Sequence, residues 1–259
     1  MLEMSYPYGQ VSLADQTPAA ESVPLFGERS RRLDISLLLE TALVTFAAIL
    51  AIKFLGQITL FGAGWFMAPA ILLAAALVPP ATRRGELPAF GLGTKQMKLS
   101  LLLVCKIAAV VFPLTFCVIW LLKFCGLELP LRPVLPHDKS WLCWLLYQFM
   151  YVAVAEEVFF RGYVQSNIQK LTKAFGSERP GWGQWTSIVL SAACFAIAHM
   201  TVHAQAISIL TFLPGLVLGW LFTRTGSLLA PILFHGLANA CYCAADGILW
   251  LTYPYLPMP

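Results

Sequence analysis

Seven apolar runs, at residues 35–55, 58–78, 99–122, 141–164, 186–199, 204–222 and 228–251, take up most of this chain. Most of them reach the ~20 residues that a helix needs to cross the hydrocarbon core of a bilayer. The composition agrees: 59% of the 259 residues are hydrophobic and 12% charged, against about 45–50% and 25% in soluble domains. The expected fold is all-α, a polytopic transmembrane helix bundle of about seven spans, with six to eight admitted by the soft ends of the runs. Residues 1–32 read as a mobile cytoplasmic tail, because they carry Ser, Pro, Gln and acidic residues and no apolar core. Residues 33–252 form the transmembrane domain. The first residues lack the short apolar core of a cleavable signal, so the first span is expected to serve as an uncleaved anchor.

The net charge of +4 is a matter of topology. Arg29, Arg31, Arg32, Arg83, Arg84, Lys95, Lys98, Lys170, Lys173, Arg179 and Arg224 all fall on one side of a seven-span arrangement. The positive-inside rule makes that side cytoplasmic. The expectation is a multi-pass protein of the cell (inner) membrane with its amino terminus in the cytoplasm and no nucleic-acid partner. Lys123, Arg132 and Lys139 lie on the other side. The seven cysteines show no CxxC spacing, and the six that fall in apolar runs, Cys105, Cys117, Cys143, Cys194, Cys241 and Cys243, read as small packing residues. Gly215 and Gly219 form a small-xxx-small pair that lets helices approach closely. Glu40 and Lys53, toward opposite ends of the first run, are read as long side chains that snorkel to the interface. Pro113 and Pro214 are expected to kink their helices.

Three polar clusters interrupt this pattern. In the first, Glu156 and Glu157 stand side by side within the fourth run, with Arg161 four residues after Glu157. A charge near the centre of a membrane helix costs about 2.5–3.5 kcal/mol even on insertion scales, so such groups mark function by default. Residues four apart share a helix face, and adjacent residues point about 100° apart. Glu157 and Arg161 therefore pair within their helix, and Glu156 turns toward a cavity as a base. A purely architectural Glu–Arg staple is the bland alternative. The second cluster is Phe195-Ala-Ile-Ala-His199, followed by His203. The third is His235-Gly-Leu-Ala-Asn239, in a helix that begins after Gly226 with Ser227 as N-cap. Each histidine alone is more often a hydrogen-bonded structural residue. Together, a carboxylate base, an imidazole and paired donors are the parts needed to hydrolyse an amide.

In order and in separate helices, Glu156-Glu157-Val-Phe-Phe-Arg161-Gly162, Phe195-Ala-Ile-Ala-His199 and His235-Gly-Leu-Ala-Asn239 resemble the three motifs of the CPBP family. Its members are CAAX prenyl proteases of the Rce1 type and bacteriocin-processing or immunity (Abi) proteins. The resemblance covers residues 141–251, the catalytic region, and implies an intramembrane endopeptidase. Its substrate would be a membrane-associated protein or peptide, with or without a lipid. The resemblance gives Glu156 and His199 the activation of water, His235 and Asn239 the oxyanion hole, and Glu157, Arg161 and Phe195 supporting places.

No cofactor is needed for this chemistry, although a zinc-dependent version stays open. His199 and His203 have the four-residue spacing of a ligand pair, and Glu156 or His235 would complete a site. There is no HExxH. A proton- or ion-coupled transporter and a catalytically silent scaffold are the readings from other classes. Counting inward from the run ends sets His199 deeper than Glu156. The fifth span is therefore expected to start later than Thr186, and the fourth helix to continue past Gly162.

Overall fold

A computed structural model describes residues 25–57, 64–82, 97–126, 141–174 and 181–252. The proposed tail up to residue 24, the connecting segments that hold many of the basic residues, and the side chain of Lys123 lie outside the described residues. Among the described residues the chain is helical: α1 Leu25–Gln57, α2 Gly64–Thr82, α3 Met97–Phe124, α4 Trp141–Ala174, α5 Trp182–His203, α6 Phe212–Thr225 and α7 Leu229–Thr252. Among the described residues five stretches are long and apolar enough to span a membrane, namely Asp34–Gln57, Met97–Leu122, Trp141–Ala174, Trp182–His203 and Ala206–Thr225. Met67–Thr82 and Leu229–Ala244 are shorter apolar helices. The protein is an integral membrane helix bundle.

The bundle is arranged for lipid. Leu43, Val110, Leu142 and Met150 are two-thirds exposed or more, which costs nothing where the surrounding solvent is itself apolar. Polar groups are gathered inside, where each must find a partner. Asn167 of α4 donates to Thr41 Oγ1 of α1 at 3.1 Å, and Tyr163 donates to Glu40 at 3.0 Å. Glu40 thus does not snorkel as expected, because a tyrosine hydroxyl on α4 lies within reach inside the bundle. One apolar core joins α1, α2, α4, α5 and the start of α7 through Ala48, Ile52, Ala76, Phe159, Phe195 and Leu228. A second joins α3, α6 and α7 through Val104, Leu218 and Phe234.

Helix ends depart from the expected runs for local reasons. Gly181, in the left-handed conformation at φ 80°, starts α5 at Trp182, and Ala204 at φ 54° ends it after His203. The fifth span therefore begins earlier than Thr186, contrary to expectation, while α4 does continue to Ala174. These two changes level the site. Glu156 lies 18 residues before Ala174 and His199 17 residues after Trp182, or about 26–27 Å from those ends at ~1.5 Å per residue. The sixth run opens with a 3₁₀ turn, Ala206–Thr211, and Pro214 falls in the first turn of α6, where its missing N–H leaves no intrahelical bond unmade. Between α6 and α7, Ser227 Oγ accepts the Leu229 N–H at 3.2 Å, in the capping place expected for it.

Gly215 and Gly219 bring α6 against α4 and α5. A Cβ on Gly215 would stand 3.1 Å from that of Ala192, and one on Gly219 would stand 2.9 Å from Gln165 Oε1 and 3.2 Å from Ile188. The exposed carbonyls serve as acceptors: Arg161 donates to Gly215 at 3.2 Å and Gln165 to Gly219 at 3.1 Å. Substituting Gly215→Val should force α5 and α6 apart and lower stability by about 1–3 kcal/mol. Thermal unfolding in detergent measures this, with Val110→Ala on the lipid-facing surface of α3 as the neutral comparison.

Candidate active site

Helix α4 is wound unevenly where it carries the two carboxylates. Glu156 and Glu157 belong to a four-residue α segment, Val154–Glu157, between two π-helical segments, Tyr147–Ala153 and Val158–Gln165. Such π turns are rare and recur at functional sites. Glu157 is fully buried, and its Oε1 accepts from Arg161 Nη1 at 3.1 Å and from His235 Nδ1 at 2.7 Å. Arg161, also fully buried, donates to the Gly215 carbonyl and lies 4.6 Å from the centre of the Phe195 ring. One carboxylate oxygen thus ties α4 to α7, and its cation ties α4 to α5 and α6.

Glu156 is turned the other way. Its side chain is 17% exposed, and Oε2 is buried without a hydrogen-bond partner. That oxygen stands 3.8 Å from His199 Nε2 and 3.8 Å from His235 Nε2. These separations are too long for direct hydrogen bonds and short enough for one small polar atom to touch all three groups. Both rings are oriented from behind. The Phe195 carbonyl accepts from His199 Nδ1 at 3.0 Å, and Glu157 accepts from His235 Nδ1. In a neutral His199 this tautomer leaves the Nε2 lone pair facing Glu156. The Phe195 ring spaces the imidazoles, 4.3 Å from His199 and edge-on at 5.9 Å from His235, and is itself held by Phe160 at 5.1 Å.

The structure therefore brings together Glu156, Glu157, Arg161, Phe195, His199 and His235. Asn239, one turn after His235, pairs with Gln148 of α4 at 2.9 Å. His203 lies at the exposed end of α5, its ring 5.7 Å from that of His199. Among the described residues no three His, Cys, Asp or Glu side chains are grouped so as to hold a metal ion.

Sequence reasoning passed over Gln148 and Gln165. Gln165, almost fully buried, also donates to Thr223 at 2.9 Å. The rule that singled out the carboxylates applies to both amides: a polar side chain within an apolar run needs a partner, and that partner identifies the neighbouring helix.

Breaking the charge cluster from one side should be costly. Arg161→Met takes from buried Glu157 one of the two donors to its Oε1 and is expected to cost about 3–5 kcal/mol, while Arg161→Lys keeps a cation beside it and should lose less. Unfolding of the two variants in the same detergent compares them.

Comparison with curated proteins and with solved structures returns no match. Residues 138–241 match the family described as type II CAAX prenyl endopeptidase Rce1-like. That segment holds all three polar clusters. Over that segment the chain is similar to the Rce1-like family of membrane-embedded endopeptidases.

Proposed function

We propose that this endopeptidase hydrolyses its substrate with a water activated by Glu156 and His199, using no metal. The observation that carries the reading is the buried, unpartnered Glu156 Oε2 equidistant from the two imidazole nitrogens. A water there can lose its proton to Glu156 or to His199 Nε2 as its oxygen bonds to the scissile carbonyl carbon. The oxyanion takes hydrogen bonds from His235 Nε2–H and from Asn239. The C–N bond then breaks, the proton passes to the departing nitrogen, and a carboxylate and an amine result.

For His235 to donate through Nε2 while Nδ1 donates to Glu157, the ring must be an imidazolium.

The substrate is a membrane-associated protein, and the scissile bond lies near its membrane-embedded or lipid-bearing segment. The protein resides in the cell membrane with its amino terminus cytoplasmic, as its basic residues favour.

Glu156→Gln and His199→Ala should each lower turnover by about 10²–10⁴-fold while leaving thermal unfolding near that of the parent. Peptide profiles of cells carrying the parent or the Glu156→Ala form supply the readout. An uncut membrane-protein precursor accumulating with the variant supports the reading, and identical profiles overturn it.

His203→Ala should leave turnover largely intact. Loss of activity in that variant, restored by added zinc, would replace this mechanism with the zinc-dependent version.

A further inference from the structure

We propose that Gln148 is a positioning residue that holds the Asn239 amide ready to donate to the oxyanion. The inference rests on the hydrolytic reading above and deepens it. Asn239 presents two chemically opposite ends, an NH₂ that stabilises a developing negative charge and a carbonyl that repels it. Nothing in the side chain itself decides which end faces the substrate. In the structure Asn239 Nδ2 donates to Gln148 Oε1 at 2.9 Å, which fixes the amide plane and leaves the second N–H of the same nitrogen to give. An amide without that acceptor is free to turn and offer Oδ1.

The pair is built into the fold. Gly236, next to His235, lies against the Phe149 ring, and a Cβ there would run into the ring atoms, so α4 and α7 approach closely beside Gln148. The winding of α4 completes the arrangement. Gln148 precedes Glu156 by eight residues, which in an uninterrupted α-helix leaves them about 80° apart around the axis at ~3.6 residues per turn. The π segment Tyr147–Ala153 between them takes more residues per turn and reduces that angle. Both side chains accordingly meet α7, Glu156 at His235 and Gln148 at Asn239.

The test uses the full chain and, as substrate, the precursor that accumulates with Glu156→Ala. Gln148→Met removes the acceptor at nearly constant volume. It should lower kcat by about 10-fold or more, a part of the 10²–10³ carried by an oxyanion donor, with KM unchanged. Gln148→Glu keeps an acceptor in place and should fall between the parent and Gln148→Met. The double variant Gln148→Met/Asn239→Ala should be no slower than Asn239→Ala, because the two act as one unit. The cycle reads coupling even where Gln148→Met loses some stability. A raised KM at constant kcat, or additive losses in the double variant, overturns the proposal. An Asn239→Ala form that cuts at the parent rate overturns the role of Asn239, and with it that of Gln148. If Glu156→Ala accumulates no precursor, the hydrolytic reading itself fails.

Discussion

One carboxylate oxygen organises this bundle. Glu157 Oε1 receives hydrogen bonds from Arg161 on its own helix and from His235 on α7, and Arg161 extends the connection to the Gly215 carbonyl on α6 and the Phe195 ring on α5. Burying such a set gains little net free energy over well-packed apolar residues, because desolvation offsets most of the attraction. What it supplies is geometry. In a lipid-embedded bundle, apolar side chains gain nothing by choosing one another over the acyl chains, so apolar contact alone defines helix register weakly. A buried acceptor with two donors permits one register. The four helices that meet at Glu157 and Arg161 are the four that carry or contact the candidate site.

The adjacent carboxylates divide the work through helical rotation. Glu157 turns into the protein and gives up its solvation to four helices; Glu156, one residue earlier, faces the imidazoles with an oxygen left over. A pair spaced three or four apart would share a face and compete for the same partners. The carboxylate that ties the helices and the one left with a free oxygen are thus kept apart while remaining one residue from each other. His235 connects them, with Nδ1 committed to Glu157 and Nε2 turned to Glu156.

Much of this was legible in the sequence because the bilayer makes exceptions conspicuous. Long apolar runs gave helices, and the Glu157–Arg161 spacing gave the ion pair found at 3.1 Å. Gly215 and Gly219 gave a close helix approach. What escaped notice depended on winding and on amides. No pattern in Tyr147–Ala153 distinguishes a π turn from an α turn, since both bury the same kinds of side chain and differ by one residue per hydrogen-bonded ring. Gln148 therefore could not be assigned a face from 3.6-residue periodicity. The depth mismatch between Glu156 and His199 arose because α4 continues past its apolar run through the polar stretch Ser166–Ala174, which sets Glu156 deeper and outweighs the early start of α5 at Trp182. Glu40 was misread because its partner, Tyr163, is 123 residues away, beyond the reach of any local rule.

Glu156, His199 and His235 sit at a boundary in burial. In α4 every residue from Glu157 to Gln165 is buried, whereas none from Trp141 to Val152 is. In α5 the last buried residue is Ala198, immediately before His199, and in α7 the buried stretch ends at Gly236, immediately after His235. On the less buried side of this boundary stand the half-buried polar side chains Tyr147, Gln148, Tyr151 and Asn239. A peptide bond is unreactive unless its carbonyl is held against a rigid donor set, and a peptide chain cannot enter a region packed to native density. Groups at the border meet both demands, since the buried side holds them still from behind while the less buried side leaves their polar atoms within reach.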